Sequence, residues 1–365
     1  MTREKTVKIA IFHDYFGAIG GGEKVVIEMA KILDADIITT DTDAVKKIDP
    51  DVRVISLGKT IKYPGLKQIS ATLKFYFCDF SKNYDMFIFS GNWAHYAAHR
   101  HHPNMWYCHT PVRVFYDNYT PFLQSLPFFK RFFFRIYAQI FRIVDRKSIS
   151  HINHIVANSQ NVQMRIGQYY NQKSNVIYPP IDTTKFNFSE YGNFWLSVNR
   201  LYPEKQIELQ IESFRVMPEQ KLLIAGGFAQ GDHSAGYAKK IQATIPSNVT
   251  FLGEITAEKL HDLFAHCRGL ICTAKDEDFG ITPIEAMASG KPVVAVDSGG
   301  FRETITAFTG MLVRPDVLSI VTAVRQISEN PAQYHEACIA RSREFDITIF
   351  AEQLRKKVND RSKIP

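Results

Sequence analysis

Two glutamates, Glu277 and Glu285, flank the dipeptide Phe279-Gly280 in the stretch EDFGITPIEAMASGKPVV, residues 277–294. Thr282-Pro283 reads as the start of a helix, because proline suits a first turn. Acidic residues there complement the positive end of the helix dipole, so two solvated carboxylates are the plain account. The backbone amides of Gly280, Ile281 and Thr282 offer a second one, since they open the helix and can donate to a phosphate. Glu285 then lies one turn in, placed to accept from ribose hydroxyls. Glu277 stays in the loop, able to reach a neutral polyhydroxylated group. A carboxylate repels a diphosphate, so the pair must address the sugar parts of a ligand.

Two other segments could hold the anion. In VNRLYPEKQIELQIESF (198–214), Arg200 ends a strand and Lys205 falls in the first turn of the next helix. A cation there opposes the dipole, and an anion held between both side chains would account for it. The second segment is GGGEKVV, where Gly20, Gly21 and Gly22 precede a helix opening at Glu23 or Lys24. Glycines let backbone amides approach a phosphate, but they also serve ordinary turns. The spacing is neither a dinucleotide fingerprint nor a Walker loop, so both accounts stay open.

The elements that must position these residues alternate strand and helix. Short apolar runs at 7–15, 86–90, 105–109 and 154–159 suit buried parallel strands, as do 194–200, 221–227, 249–254, 269–274 and 292–300. Helical stretches lie between them, including 23–33, 203–215, 256–267 and 282–290. This alternation predicts an α/β fold built as two doubly wound domains. The proline-paired stretch 178–193 reads as the linker. The expected domains are 1–183 and 192–345, with a final helix at 346–362 returning to the first. A ligand between them would face the carboxyl ends of both sheets.

Composition narrows the class. The chain has 365 residues and a net charge of +7, which favours an anionic partner without choosing one. The five cysteines, an odd number, are scattered and complete no zinc site. The first residues lack an apolar signal core, and no apolar run reaches the roughly 18 residues of a spanning helix. The expectation is a reduced, cytoplasmic protein without a structural metal.

Together these segments resemble the retaining glycosyltransferases of the large family 4, whose motif is Glu-x7-Glu with Phe-Gly after the first glutamate. Glu277-Asp278-Phe279-Gly280, Glu285-Ala286 and GKPVVAVDSGGFRE (290–303) carry the likeness, and VNRLYPEK looks like the family's donor-phosphate segment. Asn199 stands where that segment usually has glycine, and neither cation is lost. VIYPPIDTTKF (176–186) resembles the family's linker. The resemblance implies the GT-B fold, two Rossmann-like domains facing each other across a cleft. It implies sugar transfer without a metal or other cofactor. Glu277, His109, Arg200 and Lys205 would then be the reacting-centre residues, His109 by its family position against the transferred sugar. Gly20–Gly22, Phe279–Thr282 and Glu285 would hold the donor.

HDYF (13–16), SGNWAH (90–95) and WYCHTPVRVFYD (106–117) look like mannosyltransferases that build O-antigens and other surface glycans. That likeness implies GDP-mannose as donor and a lipid-linked or oligosaccharide acceptor. The rivals are a sugar-nucleotide epimerase or hydrolase on the same fold, and a non-catalytic scaffold that binds sugar nucleotides.

One segment is unusual by composition alone, LPFFKRFFFRIYAQIFRIVDRKS (126–148). As a helix it collects Phe129, Phe133, Ile136, Ile140 and Ile143 on one face, and Arg131, Arg135, Arg142 and Arg146 opposite. The ordinary account packs the apolar face on the core and leaves the arginines in water. Four arginines with almost no acid nearby go further, toward an anionic membrane. The expectation is peripheral attachment to the inner face of the cytoplasmic membrane through that arginine and phenylalanine edge. No nucleic-acid recognition motif accompanies the charge.

Overall fold

In the computed structural model the apolar runs form two all-parallel sheets. Residues 7–16, 20–42, 51–63, 65–227, 237, 241 and 245–360 are described. The chain divides into two compact units, Met1–Tyr178 with Phe350–Pro365, and Pro179–Ile349. The break at Tyr178 assigns the proline-rich stretch to the second unit.

The N-terminal sheet contains β1 (Ile9–Tyr15), β2 (Asp36–Thr40), β3 (Val54–Ser56), β4 (Met86–Ser90), β5 (Asn104–Cys108), β6 (His154–Ala157) and β7 (Ser174–Val176), in the order β3-β2-β1-β4-β5-β6-β7. Among the described residues its helices are α1 (Gly21–Leu33), α2 (Leu66–Phe77), α3 (Tyr119–Ser125), α4 (Phe128–Ile149) and α5 (Gln160–Tyr170). Strands buried on both faces need continuous apolar sequence, and MFIFS of β4 and NMWYC of β5 are fully buried.

The C-terminal sheet contains β8 (Phe194–Val198), β9 (Lys221–Ala225), β10 (Val249–Gly253), β11 (Gly269–Cys272), β12 (Val293–Val296) and β13 (Gly310–Val313), in the order β10-β9-β8-β11-β12-β13. Its described helices are α6 (Ile207–Arg215), α7 (Ala257–His266), α8 (Ile281–Ala288), α9 (Phe301–Thr304), α10 (Val317–Glu329) and α11 (His335–Arg343). A last helix, α12 (Ile347–Asn359), begins in this unit and ends in the other. There Phe350 packs edge-on to Tyr107, and Lys357 donates to Asn175 over 2.6 Å. Residues 361 and 362 of the expected final helix lie outside the described residues.

Helix α4 reverses the packing that periodicity alone suggests. Ala138, Phe141, Asp145 and Ser148 are its buried side, while Phe129, Phe133, Ile136, Ile140 and Ile143 are exposed. The reason lies in the polar partners it must satisfy. Asp145 accepts from the Tyr116 hydroxyl at 2.6 Å and lies 3.3 Å from His95 Nε2, and Ser148 donates to the His95 carbonyl at 3.0 Å. Buried polar groups must be bonded, and these bonds fix which side faces in.

Candidate functional site

Each sheet places its candidate residues at the carboxyl ends of its central strands, where β-α connections open. In the C-terminal unit the chain leaves β8 at Val198 and makes a 3₁₀ turn at Pro203–Lys205. Gln206 follows with a left-handed φ of 51°, and α6 starts only at Ile207. Lys205 therefore precedes the helix instead of occupying its first turn. A threonine at the end of β11 holds this turn from below. Thr273 Oγ1 donates to the Lys205 carbonyl at 2.7 Å and accepts from Gln210 Nε2 at 2.8 Å.

Lys205 Nζ donates to Glu277 Oε2 at 2.6 Å, forming a partly buried ion pair. Burial pulls the ammonium pKa down, but the Glu277 charge and hydrogen bond outweigh it and leave the group above its ordinary value. Glu277 is thus not a loop carboxylate waiting in solvent. It is joined to the very cation expected to grip phosphate.

The Glu277 loop is held by a close backbone contact. A side chain on Gly299 or Gly300 would run into the backbone of residues 276–279, and Gly300 N donates to the Glu277 carbonyl at 2.7 Å. Phe279 is buried with its ring centroid 5.6 Å from that of Phe345. Gly280, at φ 89°, precedes α8 with no side-chain cap. The helix start thus presents the amides of Ile281 and Thr282, a suitable seat for an anion. Glu285 is half-buried one turn along α8, and Arg200 is exposed just beyond β8.

The N-terminal unit arms its strand ends differently. His109 directly follows β5, and its Nε2 lies 2.9 Å from Ser90 Oγ at the end of β4. Burial lowers the imidazole pKa to about 4. Next to it, burial and then the neighbouring His109 lower His13 to about 3, and His13 Nδ1 is buried without a hydrogen-bond partner. Asp14 is raised to about 6 by burial, although it accepts from the amides of Asn92, Trp93 and Ala94 at 2.6, 2.7 and 2.8 Å. Those bonds fasten the β4 exit that carries Ser90.

Gly20 is the residue before α1, so the helix opens at Gly21, two or three residues earlier than expected. Gly22 faces the His109 ring: a Cβ there would lie 3.7 Å from Nε2. Sequence reasoning therefore missed His13, Asp14, Ser90, Thr273 and Gln210. His13, Asp14, Ser90 and Thr273 stand at or beside strand ends and Gln210 lies on α6; the segments HDYF and SGNWAH were the sequence signal for the first three.

Of the four arginines of α4, Arg135 is exposed, and three bond to the protein's own carbonyls. Arg131 donates to Leu126 and Gln124 at 2.9 and 2.7 Å, Arg142 to Phe115 at 2.5 Å, and Arg146 to Tyr169 at 3.1 Å. No described helix is long and apolar enough to cross a membrane.

Residues 19–185 match the model described as Glycosyltransferase Family 4, and residues 181–345 that described as Glycosyl transferases group 1. The chain is 25% identical to the alpha-1,3/1,6-mannosyltransferase ALG2 of Candida glabrata, covering 84% of this chain and 80% of that protein. It is 30% identical to the O-antigen chain mannosyltransferase RfbU of Salmonella typhimurium, over 52% of this chain and 55% of that one. Among solved structures it is similar to Anabaena HepE in complex with UDP and glucose. The TM-score is 0.79 at 20% identity, covering 97% of this chain and 99% of that one. At that identity the likeness speaks for the fold.

Proposed function

From the premise that this chain belongs to glycosyltransferase family 4, with the GT-B fold, we propose that it transfers mannose from GDP-mannose to a lipid-linked or growing surface glycan. The anomeric configuration is retained, and the reaction takes place at the cytoplasmic face of a membrane. The observation that carries this reading is the Lys205–Glu277 pair beside the opening of α8.

A nucleoside diphosphate draws Lys205 onto its phosphates, together with Arg200 and the amides at the start of α8, while Glu285 accepts from the ribose. Preorganised donors of this kind stabilise the charge that develops as the leaving group departs, with no metal required. The C1–O bond to the diphosphate breaks as an acceptor hydroxyl oxygen bonds to C1 on the same face, and the hydroxyl proton passes to the departing phosphate oxygen. Glu277, relieved of Lys205, faces the positive charge at the anomeric carbon. His109, kept neutral by burial, exchanges hydrogen bonds with the sugar without adding charge.

The test combines thermal shift against a panel of sugar nucleotides with product analysis, because a ligand that binds the folded state raises its melting temperature. GDP-mannose should stabilise most, and mannose should appear in a new glycosidic bond with acceptor present, in EDTA as without it. Free mannose or an epimerised donor as the only product would replace transfer by hydrolysis or epimerisation. Binding without turnover across an acceptor screen would make the chain a scaffold.

A further inference from the structure

Two helices of the N-terminal unit carry apolar side chains on their outward faces as well as on their buried ones. On α4 the outward residues are Phe129, Phe132, Phe133, Ile136, Ile140 and Ile143, and Phe128 at its start is 87% exposed. On α2 they are Leu66, Ile69, Leu73, Tyr76 and Phe77, a single stripe at helical spacing.

The cations between them are turned to the protein. Lys74 Nζ donates to the Leu57 carbonyl at 2.8 Å, and Lys67 Nζ sits 3.6 Å above the Tyr15 ring. Arg142 bonds Phe115 and stacks 4.6 Å over Tyr119. Both helices pack on the turn Ala94–Ala97, and Ala71 and Phe75 of α2 and Ala138 and Phe141 of α4 belong to one core with it. Exposed apolar patches of this extent are rare on the water-facing surface of a monomer.

We infer that the outer faces of α2 and α4 form one apolar surface that enters the interfacial layer of an anionic phospholipid bilayer. Charge chooses the occupant. Residues 59–77 contain no acid, and residues 126–149 contain only Asp145, which is buried. Lys59, Lys62, Lys130, Arg135 and Lys147 are exposed around the apolar residues. A second copy using this face would set these cations against themselves with no carboxylate to answer them. Lipid phosphates answer them while the acyl layer takes the phenylalanines, the division of labour of an interfacial helix. The lipid-facing cations are then chiefly lysines and Arg135, since Arg131, Arg142 and Arg146 are committed to carbonyls. The inference deepens the proposed function by naming how the enzyme reaches a lipid-linked acceptor, yet lipid binding needs neither donor nor acceptor.

The test is sedimentation of the full chain with phosphatidylcholine vesicles, with and without phosphatidylglycerol. The wild type should bind the mixed vesicles. Phe132→Asp with Phe133→Asp, and separately Leu73→Asp, should each weaken partition by about tenfold or more, given roughly 0.8 kcal/mol per buried methylene. Their melting temperatures and their transfer to a water-soluble acceptor should match the wild type. Binding that survives these changes but is lost in Arg135→Glu with Lys130→Glu would assign the surface to charge alone and overturn insertion. Absence of binding, with a concentration-dependent dimer broken by the same substitutions, would assign the face to a second copy. Transfer to the soluble acceptor tests the proposed function separately, so either reading can fail while the other stands.

Discussion

At the ends of its strands the C-terminal unit keeps Lys205 and Glu277 2.6 Å apart as an ion pair. At the equivalent ends of its own sheet the N-terminal unit keeps His109 and His13 uncharged, with pKa values pulled to about 4 and about 3. Both sites sit on all-parallel sheets, so architecture does not set the difference. Lys205 gains a counter-charge that outweighs its desolvation, whereas the imidazoles are desolvated without one. The contrast fits a division of labour. A departing diphosphate needs fixed charge, while a neutral sugar and an acceptor hydroxyl need hydrogen bonds that add none.

The strongest way to break this comparison is to remove the charged half. Lys205→Ala deletes the proposed stabiliser of the leaving group and leaves Glu277 without its partner, to repel a diphosphate. Transfer should fall by about 10²–10³-fold, the usual cost of losing one preorganised donor, about 3 kcal/mol. Steady-state transfer at saturating donor reads it. Near-normal turnover would mean that the pair is structural.

The next effect separates the two glutamates. Glu277→Gln keeps the shape and loses the charge proposed to face the anomeric carbon. It should cost about 2 kcal/mol in turnover, roughly 30-fold, with little change in nucleoside-diphosphate affinity. Glu285→Ala should weaken the free nucleoside diphosphate as well, because the ribose is present in both ligands. Calorimetric affinities beside transfer rates decide the matter, and equal loss of nucleotide affinity in both variants would remove Glu277 from the sugar.

A smaller effect sharpens the uncharged half. Ser90 is buried and engages His109 Nε2, so it fixes the ring whichever tautomer is present. Ser90→Ala should lower kcat by about fivefold, the worth of one neutral hydrogen bond of about 1 kcal/mol, and leave donor KM unchanged. A shift in KM with kcat intact would make Ser90 a binding contact instead of a positioning residue.

Much of this was legible in the residues, and the failures have physical causes. The long apolar strands were readable because burial on both faces demands continuous apolar sequence. The strands β2, β3, β7 and β13 were missed: β2 reads DIITT, β7 is SNV, and the sheet edges need less apolar sequence. Glu277, Glu285, Arg200 and Lys205 were legible as a motif. The pairing of Glu277 with Lys205 was not, because residues 72 positions apart meet only through the parallel register of β8 and β11. Helix α4 misled for a different reason. Its period was right, but a hydrophobic pattern cannot say that the buried side would be chosen by Asp145 and Ser148.

The smallest expected effect is a flat pH profile, and it tests the uncharged half directly. Folding lowers His109 from its ordinary 6.5 to about 4, so the imidazole is neutral throughout the working range. Its stability contribution is complete above pH 6.5 and is lost as pH falls toward 4, because the unfolded chain takes up the proton first. His13 acts in the same direction down to about pH 3. Asp14 runs the other way: its raised pKa of about 6 makes the buried carboxylate costly above that pH, and protonation relieves the cost as pH falls toward 3.8. Asp14 offsets about one of the two imidazoles, so a fall in melting temperature should remain between pH 6.5 and 4. Asp14→Asn, which removes the opposing term, should steepen it. For catalysis the expectation is sharper. Between about pH 5.5 and 8, kcat/KM should carry no limb that belongs to His109, since that profile reports groups titrating in the free enzyme. The measurement is kcat/KM against pH for the wild type beside His109→Gln. A limb near pH 6.5 that vanishes in the variant would mean a solvated, chargeable imidazole, and the contrast between the two strand-end sites would fall with it.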